Sequence, residues 1–151
     1  MHQQQGGLPT VALIKKEIIM VIKEESGFTL HLPMPPSVNA TYRVVNNMPI
    51  LSKDAREYRK HIINYCSPAK GFGFGNKKIA VYIRSTQANY RRRDLDNLCK
   101  VSLDALQHAG WYDSDYNIDS LHIVRCVPQK DNPHLLVTIT EIEHGDASDD
   151  T

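Results

Sequence analysis

The chain reads DLDNLCKVSLDALQHAG over residues 94–110, and this stretch predicts a helix around which the fold is organised. Its apolar residues recur at the spacing that lines one face of a helix, and Gly110 is a common residue directly after a helix end. Because positions i and i+4 share a face, Asp96 and Lys100 project together on the side away from the apolar face. The predicted buried face comprises Leu95, Leu98, Cys99, Ser102, Ala105, Leu106 and Ala109.

The segments outside this helix predict one further helix and four strands. Ser52 is a favourable N-cap, and the apolar spacing after it predicts a helix that reaches Ile63. Residues 37–47 are expected to form a long loop, and residues 11–22 fit neither the helical nor the strand period. Alternating apolar residues predict strands at 28–32, 78–84, 120–127 and 135–142.

The order strand, helix, strand, helix, strand, strand predicts the fold class. It indicates an α/β fold (α+β in some schemes), in which a small mixed β-sheet carries two helices on one side. The 151 residues are 41% hydrophobic and 23% charged, which is an ordinary mixture for one globular domain. We expect residues 1–26 to be an N-terminal extension that is flexible or outside the core, residues 27–143 to be the domain, and residues 144–151 to be an acidic disordered tail.

Cysteine usage and apolar runs exclude several classes of protein. Three cysteines without a CxxC pair argue against a disulfide framework and a structural zinc site, which fits a reducing cytoplasm. The longest apolar run, at residues 18–22, is five residues long, whereas a membrane-spanning helix needs about 20. We therefore expect a cytoplasmic protein without a membrane partner.

The chemistry is expected at the start of the helix, where three arginines precede two aspartates. Residues 91–93 are arginines that lead directly into Asp94 and Asp96, and Lys100 follows one turn later. Two carboxylates beside an ammonium group, approached through a basic segment, can bind a divalent cation next to a phosphate, because Mg²⁺ prefers oxygen ligands. The lysine can then stabilise charge that develops on the phosphate.

The same residues also allow a purely structural interpretation, and their spacing alone does not decide between the two. Asp94 at a helix start is a favourable cap, and Asp96 with Lys100 can form an ordinary surface ion pair. Runs of arginine are usually solvated faces. A second acidic cluster follows the helix end and is either a polar surface loop or the source of a third carboxylate; it contains Asp113, Asp115 and Asp119.

Two separated motifs resemble the RusA family of Holliday junction resolvases, which are crossover junction endodeoxyribonucleases. The first motif is LPMPPSVN at residues 32–39, followed by Tyr42 and Arg43. The second is RRDLDNL at residues 92–98, followed by Lys100, by DAL at 104–106, by Ala109-Gly110 and by an acidic loop with Asp115. The motif order, the chain length and the order of elements agree with the family, and the resemblance covers roughly residues 27–143.

The resemblance implies a homodimeric, Mg²⁺-dependent, structure-selective endonuclease that nicks symmetrically across four-way DNA junctions, with Mn²⁺ able to replace Mg²⁺. It implies that Asp94, Asp96 and Asp115 are catalytic metal ligands and that Lys100 is the essential lysine. Arg93 and Asn97 match the arginine and asparagine of the family motif. Phosphate contacts would position the DNA without reading its sequence; the expected DNA-binding residues are Arg91, Arg92, Arg93, Asn97, Lys53, Arg56 and Lys60.

Three alternatives stay open at the level of sequence. In the acidic loop, Asp113-Ser114-Asp115 stands where the family has two adjacent acids, so Asp113 is an alternative third ligand to Asp115. The chain could also be a non-catalytic member of the family that binds branched DNA. A third hypothesis is a small dimeric interaction module whose charged residues form only structural ion pairs.

Overall fold

The structure, a computed structural model, describes residues 10–14, 17–23, 26–36, 42–90 and 95–143. Within these ranges, the helices are α1 (Lys53–Tyr65) and α2 (Leu95–Ala109). The strands are β1 (Thr10–Ile14), β2 (Glu17–Lys23), β3 (Gly27–Pro33), β4 (Tyr42–Val45), β5 (Met48–Leu51), β6 (Ile79–Thr86), β7 (Ile118–Arg125) and β8 (His134–Glu141).

Six of the strands form one mixed sheet in the order β1-β2-β3-β8-β6-β7. Neighbouring strands are antiparallel except for β6 and β7, which are parallel and are connected through α2. A parallel pair needs such a crossover, because the chain must return to the end at which the first strand began. The remaining strands, β4 and β5, form a separate two-stranded hairpin.

The core lies between one face of this sheet and the two helices. Strand alternation places every second side chain on the same face, and on this face the three central strands bury their apolar residues. The residues of the central strands that are buried there are Phe28, Leu30, Leu32, Leu135, Val137, Ile139, Ile79, Val81 and Ile83. The predicted fold class, a small mixed sheet with two helices on one side, is confirmed.

The helices begin and pair as their sequences indicate. The Ser52 side chain accepts a hydrogen bond from the Ala55 backbone N–H at 3.2 Å, which confirms the predicted N-cap of α1. Arg59 on α1 forms an ion pair with Asp104 on α2 at 2.5 Å and joins the two helices. No helix in the described part of the chain is both long and apolar enough to cross a membrane.

Two segments differ from the expectations drawn from sequence. Residues 10–14 and 17–23 form β1 and β2, whereas the sequence period left residues 11–22 without an assignment. β2 pairs with β3 and β1 pairs with β2, so the expected extension over residues 1–26, flexible or outside the core, contains two strands of the sheet. Residues 42–47 were expected to belong to a long loop, but they form β4 and the turn of the hairpin. The expected acidic tail, residues 144–151, lies outside the described residues.

The close approach of β3 to β8 gives a test of the sheet. A Cβ added to Gly27 would lie 1.9 Å from the Ile139 carbonyl oxygen, so the strands must separate locally to accept one. We expect Gly27→Ala to lower the free energy of unfolding by about 1–3 kcal/mol, measured by urea denaturation. Ser26→Ala, at the exposed neighbouring position, is the control. Equal stability of both variants would contradict this packing.

Candidate active site

The two sequence motifs meet at one end of the sheet. Strand pairing aligns Pro33, the last residue of β3, with His134, the first residue of β8. His134 is in turn aligned with Thr86, the last residue of β6. We call this side of the sheet, where β3 and β6 end and β8 begins, the motif end. The first motif continues from β3, and the segment that leads to the second motif leaves from β6 at the same end.

Both helices run from the motif end to the opposite end of the sheet. Near the start of α1, the Tyr58 hydroxyl donates a hydrogen bond to the Pro33 carbonyl at 2.8 Å. At the other end, Trp111 follows α2 after one intervening residue, Gly110. Its indole N–H donates a hydrogen bond to the carbonyl of Cys66, the residue directly after α1, and its ring packs against the Phe28 ring. A helix rises 1.5 Å per residue, so α2 spans about 21 Å between these ends.

The structure places part of the predicted site at the motif end. Asp96 and Asn97 lie in the first turn of α2, and Lys100 is exposed one turn further along. Asp94 and the three arginines at residues 91–93 lie outside the described residues. The pairing of Asp96 with Lys100 on one face of the helix stays a prediction from their spacing.

The predicted basic residues of α1 share one exposed face that begins at the motif end. Lys53, Arg56 and Lys60 are all exposed and follow the helical spacing of one face. Arg56 also donates from Nη1 to the Leu51 carbonyl at 2.9 Å, which ties the end of β5 to α1. These side chains form an exposed basic surface that starts at the motif end.

The acidic loop lies at the opposite end of the sheet. The backbone N–H of Asp113 donates to the Gly75 carbonyl at 2.9 Å, just before β6 begins. Ser114 caps the short 3₁₀ turn Asp115–Asn117, and the Asn117 side chain donates to the Gly75 carbonyl at 3.1 Å and to the Lys77 carbonyl at 2.8 Å. Asp115 is thereby held in a fixed turn rather than in a loose loop.

The surroundings of Tyr112 locate Asp115 along α2. The Tyr112 hydroxyl donates to the Leu103 carbonyl at 2.5 Å, and its pKa is raised above the usual value by burial and by the nearby charges of Asp104 and Asp115. Tyr112 is thus anchored beside the C-terminal half of α2, and Asp115 follows it by three residues at the end of the sheet opposite the motif end, whereas Lys100 is in the N-terminal half of α2. Within the described residues, no group of three His, Cys, Asp or Glu side chains converges on a metal position.

Sequence reasoning missed two buried polar side chains at the motif end. Ser85 Oγ and Gln87 Nε2 are buried and have no hydrogen-bond partner in the part of the chain that the structure describes. They continue the alternation of Ile79, Val81 and Ile83 on the buried face. This alternation was visible in the sequence. A polar residue that falls in line with alternating apolar residues indicates a buried position whose polar group needs a hydrogen-bond partner.

All three cysteines are free thiols. Cys66 and Cys99 are buried, Cys126 is half-buried, and none of the three forms a disulfide. Burial raises the pKa of the Cys66 thiol to about 12, so this thiol stays protonated and unreactive.

Comparisons with known proteins identify the family. The family model Endodeoxyribonuclease RusA matches residues 33–140, a range that contains both motifs almost completely. The crossover junction endodeoxyribonuclease of Enterobacteria phage HK97 is 32% identical over 112 residues, which are 74% of this chain and 92% of that protein. The enzyme of the same name from Escherichia coli K12 is 31% identical over 116 residues, 76% of this chain and 95% of that protein.

Among solved structures, the periplasmic domain of MotB is similar with a TM-score of 0.47 at 14% identity, covering 98% of this chain and 80% of that chain. A likeness at this level carries no information about function. The family match and the two relatives, in contrast, cover most of the chain and confirm the resemblance seen in its two motifs. The chain belongs to the RusA family of endodeoxyribonucleases.

Proposed function

We propose that this protein resolves Holliday junctions by paired symmetric nicks, as a divalent-metal-dependent crossover junction endodeoxyribonuclease. The observation that carries the proposal is the meeting of both family motifs at the motif end. The strand pairing that aligns Pro33 with His134 and Thr86 brings them there from distant positions in the chain. The two relatives described above are named crossover junction endodeoxyribonucleases.

The donor set of the second motif fits a hard divalent cation. Carboxylates are the ligands that Mg²⁺ takes beside phosphate oxygens, and Asp94 and Asp96 would hold it, with Mn²⁺ as a substitute. When bound, the ion lowers the pKa of a water and stabilises negative charge on the phosphoryl oxygens. Lys100, exposed on the same helix, would donate to a phosphate oxygen or to the leaving oxygen.

The surroundings of the motif end favour a polyanion. Lys53, Arg56 and Lys60 are exposed on α1 and would contact phosphates of a DNA arm. Both helices begin at the motif end, so their positive dipole ends face the same side of the molecule. The motif residues Arg91, Arg92, Arg93 and Asn97 would add contacts close to the cleaved bond.

We infer that the third carboxylate, Asp115, acts in the site of the partner subunit. In one chain Asp115 lies in the turn that follows α2, at the end of the sheet where Asp113 is bonded to Gly75, whereas Asp96 lies in the first turn of that helix. Carboxylates that share one ion must lie within a few ångströms of each other. A two-fold dimer supplies Asp115 to the other chain's motif end and also matches the two-fold symmetry of a junction.

The first test is junction cleavage itself. We expect the protein to cut a labelled four-way junction in Mg²⁺ and to leave linear duplex of the same sequence intact, with all cleavage lost in chelator. Product lengths on a denaturing gel should show nicks at symmetric positions in opposing strands. Junction binding without cleavage in either Mg²⁺ or Mn²⁺ would instead identify a non-catalytic branched-DNA-binding protein.

Substitutions in α2 separate chemistry from binding. Asp96→Asn keeps the side-chain shape but removes the charge that holds a cation, and Lys100→Ala removes the ammonium group. We expect each to lower the cleavage rate at least about a hundredfold while junction binding in a gel shift stays close to wild type. Lys70→Ala, at an exposed lysine in the 66–78 connector, is the control. A parallel loss of binding and cleavage would assign these residues to the DNA surface.

The assignment of Asp115 is tested by complementation. We expect Asp115→Asn to be inactive and Asp113→Asn to be active. Mixing Asp96→Asn chains with Asp115→Asn chains should restore nicking at roughly a quarter of the sites, because half of the dimers are mixed and each has one complete site. Light scattering should give about twice the 17.1 kDa chain mass. No recovery on mixing would place Asp115 in the site of its own chain or outside the site.

A further inference from the structure

The β4–β5 hairpin stands apart from the six-stranded sheet and presents an apolar tip. Its turn residues Asn46 and Asn47 have φ angles of 52° and 63°, the left-handed conformation of a tight two-residue hairpin turn. Val45 and Met48 flank the turn as direct partners, and directly opposite residues project on the same face of a hairpin. They are 40% and 64% exposed, so they form one small apolar surface, which we call the hairpin knob.

The root of the hairpin is fixed to the motif end. Leu51, the last residue of β5, packs against the core, and its carbonyl accepts a hydrogen bond from Arg56 Nη1 at 2.9 Å. Ser52 follows directly and caps α1. The root of the hairpin is therefore attached to the start of α1, and the knob lies at the tip, about 10 Å from that root along the strands.

The charge beside the knob indicates the chemistry of its partner. The exposed face of α1 that starts at the hairpin root carries Lys53, Arg56 and Lys60. A second protein with a neutral apolar patch would leave these cations without a partner. A DNA branch point offers both surfaces, because its phosphates pair with the cations and the base pairs at the crossover can expose a flat apolar face.

We propose that Val45 and Met48 pack against the exposed face of a base pair at the branch point of junction DNA. This inference rests on the proposed function and assigns to the hairpin the discrimination between branched and linear DNA. Apolar side chains that wedge between base steps act in this way in DNA-bending proteins. In linear duplex every internal base pair is stacked on both sides, so the knob gains no contact there.

The test uses the full-length protein and a four-way junction with a fluorescent adenine analogue at the branch point, in chelator so that no strand is cut. Binding of the wild type should raise the fluorescence, because the knob takes the place of the neighbouring base pair against the analogue and the analogue becomes brighter when it is unstacked from that neighbour. The double variant Val45→Ala/Met48→Ala should lose this rise and lose roughly tenfold in preference for junction over duplex. Its duplex affinity should stay unchanged, and Met48→Leu should keep the rise.

Phe72→Ala is the matched control, because Phe72 is 49% exposed and lies in the connector next to Phe28 at the opposite end of the sheet. A wild-type protein that binds the junction without a fluorescence rise, or a double variant that retains the rise, overturns the proposal while cleavage can still be intact. A double variant that becomes monomeric in light scattering overturns it as well and identifies the knob as a dimer contact. If the wild type unstacks the branch point but never cuts the junction in Mg²⁺, the role of the knob is supported and the proposed nuclease function is contradicted.

Discussion

The position of β8 between β3 and β6 is the constraint on which the rest of the structure depends. Its backbone hydrogen bonds hold the ends of β3 and β6 level, so that Pro33, His134 and Thr86 lie side by side. A shift by one residue would turn Leu135, Val137 and Ile139 away from the helices and expose the core. The register that keeps these side chains buried is therefore the same register that brings the two family motifs together.

Much of the fold was predictable because periodicity is a local property. Spacing and turn residues in the sequence predict the helix over residues 95–109, the Ser52 cap and strands β3, β6, β7 and β8. Strands β1 and β2 were not predictable in this way, because residues 11–22 show no clean period of their own; β2 is positioned by pairing with β3, and β1 by pairing with β2. The hairpin was missed because four-residue strands are too short to show a period, although the Asn46-Asn47 pair was a turn signal.

The candidate site shows what a linear motif contains and what it omits. Lys100 stands on the exposed face of α2 as its spacing indicated, and the basic residues of α1 share one face. Counting along the chain also gave Asp115 its place in the family motif. It did not reveal that Asp115 lies near the C-terminal end of α2 and not near the N-terminal end, where Asp96 is located. This depends on the reversal of direction after Gly110, which the contacts of Tyr112 and Asn117 fix in three dimensions. The proposed dimer, in which Asp115 serves the partner subunit, reconciles the motif with this topology.

The long separation between the central strands also has a consequence for how the molecule forms. Thr29 on β3 and Thr138 on β8 share a hydrogen bond at 3.0 Å although they are 109 positions apart in sequence. At ordinary rates of synthesis this interval lasts on the order of 5–20 s. During that time β3 has emerged without the partner that completes the middle of the sheet, and its buried face, with Leu30 and Leu32, has nothing of β8 to pack beside.

Closing contacts so distant along a chain is slow compared with forming local helices. The nascent protein thus passes through a state in which α1 and α2 can form before the centre of the sheet closes, and in that interval the strand edges are the surfaces most exposed to aggregation and to chaperones.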